Sequence, residues 1–145
     1  MYNNVTFCLN IRTVGDCKFY WKMKVVLSIK PEFADKIFNG TKKFEFRRAI
    51  FKNKDIKTVI VYASAPVKIV IGEFEIEEII SQDIDTLWRL TGDYAGISQE
   101  YFYQYFANRH RGHAIRIKKA VKYKQSKCLR TDFNLSPPQS FAYYA

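Results

Sequence analysis

The alternation of polar and apolar residues along the chain is most regular in the segment KKFEFRR. In an extended strand, successive side chains point to opposite faces. Phe44 and Phe46 therefore share one face, while Lys43, Glu45 and Arg47 share the other. The pattern predicts a half-buried strand with an apolar face in the core and a polar face toward solvent.

Similar patterns predict more strands on either side of this segment. Apolar or alternating runs favour strands, and they cover residues 24–31, 57–66, 68–80 and 112–125, with a short edge strand in SFAYY near the end. The strand at 68–80 contains the alternating glutamates Glu73, Glu75 and Glu77. We expect a solvated face there, paired across the sheet with basic residues such as Arg116 and Lys118.

Three segments place their apolar residues three and four positions apart, which is the spacing of one helix face. The first, EFADKIF, follows Pro31, which suits a first helical turn because its missing N–H needs no partner there. Asn39 and Gly40 end this helix, since glycine readily becomes left-handed. The second helix lies in SQDIDTLWRLTG, and the third, in GISQEYFYQYFANR, has Ser98 as its N-cap. Its aromatic stripe, with Tyr105, is expected in the core rather than stacked on bases.

The predicted element order is strand, helix, three strands, two helices and two strands. Several strands with few helical crossovers favour an α+β fold, built as a small, mostly antiparallel β-barrel flanked by short helices. Residues 1–22 fit this pattern poorly, and a cleaner pattern begins at Met23. We therefore expect an N-terminal extension over residues 1–22 and one domain over residues 23–145.

Composition adds a bias toward anionic partners. The chain has 145 residues, of which 48% are hydrophobic, and this suffices for one core. Lysine and arginine number 24 against 14 aspartates and glutamates, which gives a net charge of +10. A positive field attracts phosphates, so nucleic acid is the first partner to consider and an anionic membrane surface the second.

Cysteines and histidines point away from disulfides and metals. Cys8, Cys17 and Cys128 are odd in number and widely spaced, which is typical of free thiols in a reducing cytosol. No apolar run is long enough for a bilayer and no secretory signal is recognisable, so we expect a cytoplasmic protein without membrane contact. His110 and His113 have no further ligand nearby in sequence, and glycine-rich phosphate loops are absent. We expect neither a metal nor another cofactor.

Candidate chemistry concentrates in the pattern G-x-K-x-x-E-x-R, filled by Gly40, Lys42, Glu45 and Arg47. Lys42 and Arg47 bring positive charge, and a guanidinium can bind a phosphate or a base edge through two hydrogen bonds. A carboxylate flanked by cations is expected to stay ionised and to hold them in a fixed orientation. The alternative is an ordinary ion pair between Glu45 and Arg47 on an exposed strand.

With this motif, the segment LSIKPEFADKIFNGTKKFEFRR resembles the opening of an ASCH domain, a relative of the PUA fold. The segments VYASAPVKIVIGEFEIEEI and PPQSF resemble a branch of that family in which the domain stands nearly alone. The resemblance covers about residues 23–144 and does not include the first 22. It implies a PUA-like fold that binds RNA, with links to translation and to modified bases.

The resemblance leaves open whether the chain is an enzyme. Some ASCH proteins are described as ribonucleases, and a small branch as amidohydrolases that act on acetylated cytidine. In that branch the motif lysine works beside a threonine nucleophile; here Lys42 is present, but Glu45 takes the place of the threonine, with Thr41 nearby. A ribonuclease would use Lys42, Glu45, Arg47 and a tyrosine to position and polarise a phosphodiester, with Lys42 and Glu45 as its catalytic residues. A domain for small molecules or protein partners is the third alternative.

A cleft framed by the first helix and the strand after it is the expected binding site, with single-stranded nucleic acid, above all RNA, as its partner. Exposed aromatic side chains would stack on unpaired bases there. The candidate binding residues are Ser28, Lys30, Lys42, Glu45, Arg47, Arg48, Tyr62, Ser64, Gln139 and Ser140.

Overall fold

A computed structural model describes residues 23–145, so the predictions for residues 1–22, including Cys8 and Cys17, lie outside the described residues. Helices and strands alternate irregularly along this part of the chain. The strands are β1 (Lys24–Ile29), β2 (Phe44–Arg47), β3 (Thr58–Ala63), β4 (Ile69–Asp83), β5 (Arg111–Lys127) and β6 (Phe141–Tyr144). The helices are α1 (Pro31–Phe38), α2 (Ile84–Thr91), α3 (Gln99–Tyr105) and α4 (Leu129–Phe133), with a 3₁₀ turn at Gly92–Tyr94 between α2 and α3.

The strands form one six-stranded mixed sheet in the order β2-β5-β4-β3-β1-β6. Only β1 and β3 pair in parallel among residues 23–145, because α1 and β2 supply the crossover that parallel strands need. The α+β class and the mostly antiparallel pairing are confirmed. Closure into a barrel is not observed, since β2 and β6 remain the two edges of the described sheet.

Local signals set the helix ends. Gly40 follows α1 with a φ of +86°, a left-handed conformation that stops the helix. Ser98 caps α3, where its hydroxyl accepts a hydrogen bond from the backbone N–H of Tyr101 at 3.1 Å. The three predicted helices are confirmed. The five-residue α4 was not predicted, because so short a helix shows no clear periodicity.

The core has two main parts on the side of the sheet that bears α1, α2 and α3, and a smaller part on the other side, where α4 packs. One part joins β1, β3 and β4 to α1 through residues such as Leu27, Ile37 and Val61. The other joins β2 to α2 and α3, where Phe46 and Phe102 pack edge to face with their centroids 5.2 Å apart. The expectation that the α3 aromatic stripe is core holds for Phe102 and Phe106, which are buried.

The long antiparallel pair of β4 and β5 carries the glutamate face predicted from the alternation. Arg116 pairs with Glu78 at 2.7 Å and with Glu77 at 3.5 Å, and Lys118 lies 4.0 Å from Glu75. All five side chains are about half exposed or more, so the prediction of a solvated, cross-strand-paired face is confirmed for Glu75 and Glu77. It is wrong for Glu73, whose side chain is only 29% exposed and pairs with Lys24 of β1 at 2.9 Å. Within residues 23–145, no helix is long and apolar enough to cross a membrane.

Candidate nucleic-acid interface

A cleft of about 400 Å³ lies between β2, the β1–α1 junction, α3 and the segment before β6. The lining is mixed, with cationic, aromatic and polar side chains. Eight of the ten predicted site residues line it: Ser28, Lys30, Lys42, Glu45, Arg47, Arg48, Gln139 and Ser140. The fold thus brings together residues from both ends of the described chain.

Tyr62 and Ser64 are the two predicted residues that the cleft lining does not include. Side chains of β3 alternate between two cores: Val61 packs on the α1 side, whereas Tyr62 packs with Val26 on the opposite side of the sheet. Tyr62 is only 4% exposed there. Ser64 lies in the turn after β3, where its N–H donates to the carbonyl oxygen of Ile29 at 2.9 Å.

Lys42 is an almost fully buried cation, with 2% of its surface exposed. Its ammonium donates to the carbonyl oxygen of Ala95 at 2.7 Å and lies 4.8 Å from the centroid of Phe46. Gly96 packs on the aliphatic part of the lysine so closely that a Cβ there would lie 2.5 Å from the Lys42 Cβ. Burial disfavours the charged form and lowers the pKa of Lys42 to about 8.

Glu45 is buried as well, with 6% of its surface exposed. All four residues of β2 are buried, so the prediction of a solvated polar face is wrong for this strand. The reason is that α3 covers one face while the C-terminal segment approaches the other. Burial raises the pKa of Glu45, and the charges of Lys42 and Arg47 oppose that rise.

Arg47 uses its guanidinium to hold the chain itself together. Nη1 donates to the carbonyl oxygen of Ser28 at 3.2 Å, and Nη2 donates to the carbonyl oxygen of Ser140. Nη1 also lies 3.6 Å from Glu45 Oε1. Ser28 adds a hydrogen bond from its hydroxyl to the carbonyl oxygen of Pro138 at 2.7 Å. These bonds span the gap between the sheet edges, so Arg47 builds the cleft wall instead of presenting the free fork that the sequence suggested.

Comparisons with known proteins agree with this architecture. The family model of the ASCH domain matches residues 27–120. The chain belongs to the ASCH-domain family.

The relatives of this ASCH domain include enzymes by name. It is 33% identical over 127 residues to a protein of Zymomonas mobilis named an ASCH domain-containing ribonuclease, with 84% of each chain covered. The crystal structure of ASCH from Zymomonas mobilis superimposes with a TM-score of 0.77 at 31% identity, covering 84% of this chain and 87% of that one. The large ribosomal subunit protein uL22 of Ureaplasma parvum is 31% identical over 121 residues, but the match spans only 38% of that protein.

Two tyrosines of α3 complete the cleft of this ASCH domain and were not assigned to it from the sequence. Tyr101 and Tyr105 stand one helical turn apart with nearly parallel rings, at an angle of 11° and a centroid separation of 6.5 Å. Lys30 lies 5.2 Å from the Tyr101 ring, and the Arg48 guanidinium lies 4.5 Å from that of Tyr105. The sequence held one signal for this assignment. Tyr101 and Tyr105 are four residues apart, so they share a helix face next to the apolar stripe of Phe102 and Phe106.

Cations at the cleft are arranged in two layers. Lys30, Arg48 and Arg109 are exposed at the rim, whereas Lys42 is buried at the floor beside Glu45. The same lining thus offers charge to a backbone at the surface and hydrogen-bonding groups at depth. Among residues 23–145, no three His, Cys, Asp or Glu side chains stand close enough to hold a metal ion.

Thr41 points away from this site. Its hydroxyl donates to Asn39 Oδ1 at 2.7 Å in the exposed turn after α1, and Thr41 is not part of the cleft lining. The structure therefore gives Lys42 no threonine partner from the position next to it.

Proposed function

We propose that this ASCH domain binds single-stranded RNA in the cleft around Lys42. The observation that carries the proposal is the combination of two stacked tyrosines with exposed cations at the rim of one concave site. Unpaired bases stack on aromatic rings, at about 1–3 kcal/mol per base, while cations follow the phosphates. A duplex hides its base faces, so the tyrosines would favour a single strand.

The charge of the chain supports the same partner. Lys30, Arg48 and Arg109 lie at the rim, and the net charge is +10. Neutralising one phosphate each would release counterions, and for a single strand this gives a slope of log K against log salt of about −2. The membership of the family and the name of the Zymomonas mobilis relative add support for an RNA partner.

Fluorescence anisotropy with labelled single-stranded and double-stranded RNA at 25 to 200 mM salt tests this proposal. We expect binding of the single strand that weakens steeply with salt and is weaker for the duplex. Lys42→Met is expected to lose binding, and Lys43→Met is the matched control because Lys43 is the exposed neighbour. No binding of any RNA at the lowest salt would refute the proposal.

Cleavage of that RNA is the second candidate function, and the buried amine of Lys42 favours it. A pKa of about 8 leaves part of the Lys42 population neutral near physiological pH, as a general base requires. Such a base takes the proton of a ribose 2′-hydroxyl, and the 2′-oxygen then bonds to phosphorus. The bond between phosphorus and the 5′-oxygen breaks, and the 5′-oxygen takes a proton from solvent. The products are a 2′,3′-cyclic phosphate and a free 5′-hydroxyl.

End-labelled RNA incubated with and without divalent metal tests the ribonuclease hypothesis. We expect cleavage by the wild type and by Lys43→Met, none by Lys42→Met, and none where a single 2′-deoxynucleotide replaces the scissile one. Cleavage that persists in purified Lys42→Met would refute the role of Lys42 as the general base. The orientation of Thr41 leaves the amidohydrolase alternative without the adjacent threonine nucleophile that it would use.

A further inference from the structure

The floor of the cleft contains a carboxylate whose hydrogen-bonding capacity is unused. Glu45 is 6% exposed and lines the cleft, and its one ion-pair partner among residues 23–145 is Arg47. Its nearest cation, Arg47, stands 3.6 Å away, which is beyond hydrogen-bonding distance. Among residues 23–145 no fully buried side-chain oxygen lacks a hydrogen-bond partner, so a Glu45 oxygen without a donor faces the open cleft, where it can accept from a ligand.

The neighbouring cation has unused donors of the opposite kind. The Lys42 ammonium has three N–H groups, and within the described chain one of them is used by the carbonyl oxygen of Ala95. Acceptor and donor thus line the same floor, contributed by Glu45 and Lys42. A phosphate offers only acceptors and would meet the carboxylate, whereas the edge of a nucleobase offers both donors and acceptors.

The cleft also has a direction. Its exposed cations, Lys30, Arg48 and Arg109, are at the rim, while the carboxylate is at the floor. A nucleotide that entered phosphate first would place its charge beside Glu45 and leave the rim cations unused. Entry base first satisfies both layers, and a volume of about 400 Å³ suits one nucleotide rather than a run of bases.

We propose that the cleft captures one unstacked base of an RNA strand by its Watson–Crick edge, and that Glu45 selects guanine. Guanine presents two adjacent donors, N1–H and the 2-amino group, which a carboxylate accepts together, and its O6 faces a donor such as Lys42. Uracil presents one N–H between two carbonyl oxygens, which oppose the carboxylate. Adenine and cytosine each present one amino group, so we expect their affinities to lie between those of guanine and uracil.

This inference rests on the proposed binding of RNA and adds a base preference to it. It competes with the cleavage hypothesis, because a Lys42 ammonium that donates to guanine O6 does not take the proton of a ribose 2′-hydroxyl. The alternative is a purely structural role, in which Glu45 only balances the charges of Arg47 and Lys42. That alternative predicts the same affinity for every base, because a charge-balancing carboxylate does not contact the ligand.

Anisotropy with five pentanucleotides separates the two. The central base of a UUNUU strand is guanine, inosine, adenine, cytosine or uracil, and the proteins are the wild type, Glu45→Gln, Glu45→Asp and the control Glu75→Gln, whose carboxylate is exposed. We expect guanine to bind at least about tenfold more tightly than uracil, and inosine, which lacks the 2-amino group, to lose several-fold against guanine. Glu45→Gln should lose the preference, because its amide offers a donor where guanine needs an acceptor, while Glu75→Gln should keep it.

Two outcomes overturn the inference and leave RNA binding intact: equal affinity of the wild type for all five strands, or a guanine preference that survives in folded Glu45→Gln. Absence of binding to every strand overturns both proposals. The comparison of guanine with inosine uses the wild-type protein alone, so equal affinity for these two strands overturns the inference even if Glu45→Gln fails to fold. Glu45→Asp, which keeps the carboxylate, should bind more weakly but in the same order of bases.

Discussion

Two strands of this ASCH domain carry nearly the same four-residue pattern and fold it in opposite ways. Phe-Glu-Phe-Arg forms β2, and Phe-Glu-Ile-Glu forms residues 74–77 of β4. In β4 the glutamates are exposed, and the Glu75 side chain keeps 55% of its surface accessible. In β2 the glutamate and the arginine are buried with the phenylalanines. Alternation therefore assigns residues to faces, but it does not say what covers each face.

The covering layer changes the chemistry of otherwise similar groups. The Arg116 and Lys118 ion pairs stay in water, where such pairs contribute about 0–1 kcal/mol. Around β2 the side chains are largely buried, so the pKa of Lys42 falls and the pKa of Glu45 rises. The same residue types thus act as solubilising surface in one strand and as a candidate binding site in the other.

The largest expected contrast is between the two arginines. Arg47→Ala removes the partner of two backbone carbonyl groups and of buried Glu45, so we expect a loss of about 3–5 kcal/mol of unfolding free energy. Arg116→Ala removes exposed pairs and should cost about 1 kcal/mol or less. Urea denaturation followed by circular dichroism measures both. Equal losses of unfolding free energy in the two variants would mean that the buried bonds of Arg47 contribute no more to stability than the exposed ion pairs of Arg116.

The next contrast is between adjacent lysines, and it concerns stability against function. Lys42→Met removes a buried charge, so we expect the variant to be more stable than the wild type at neutral pH by up to about 3 kcal/mol, although RNA binding is lost. Lys43→Met, on the exposed side, should change stability by about 0.5 kcal/mol or less. A destabilised Lys42→Met would show that the ammonium contributes more to folding through its hydrogen bond to Ala95 than burial costs.

The pH dependence of the same pair sharpens the contrast. Lys42 is faced by the carboxylate of Glu45, which raises its pKa, and by Lys36, which lowers it, but burial dominates and sets the value near 8. From there to the ordinary value of 10.5, the unfolded chain binds the proton and the folded chain does not. The contribution of Lys42 to the unfolding free energy therefore rises with pH across this window, and its penalty is complete below pH 8. The advantage of Lys42→Met should shrink between pH 7 and 10; an unchanged difference would contradict the shift.

Tyrosines of α3 give a smaller contrast. Tyr105 lines the cleft, while Tyr103 points to the other side and donates its hydroxyl to Asp85 at 2.8 Å. Tyr105→Leu should weaken RNA binding by about 1–3 kcal/mol through lost stacking, and Tyr103→Leu should leave it unchanged. Anisotropy at constant salt measures both affinities. Similar losses in the two variants would indicate that RNA binds outside the cleft.

The smallest expected effect is on the salt dependence of binding. Arg109→Gln removes a rim cation and should reduce the slope of log K against log salt by about 0.7, with a modest loss of affinity. Lys118→Gln removes a cation of the β4–β5 ladder and should leave the slope as it is. A larger change of slope for Lys118→Gln than for Arg109→Gln would indicate that RNA binds along β4 and β5 rather than in the cleft.

The sequence by itself determined the local structure and the position of the motif. Periodicity, the Pro31 start, the Gly40 stop and the Ser98 cap act over a few residues, so they predicted the three longer helices and all six strands of residues 23–145. The motif, together with its resemblance, located the lysine, glutamate and arginine that now line one cleft. Short-range rules were sufficient because the groups involved are neighbours along the chain.

Only the tertiary structure decided what surrounds those groups. The partner of Lys42 is Ala95, 53 residues away, and a partner of Arg47 is Ser140, 93 residues away. Tyr62 does not line the cleft, although it was predicted to, and Tyr101 does line it, although it was not predicted to. Both differences arise because distant elements pack on a particular side of the sheet. Burial depends on this packing rather than on the residue itself, and burial is what turns an alternating strand into a site with shifted pKa values.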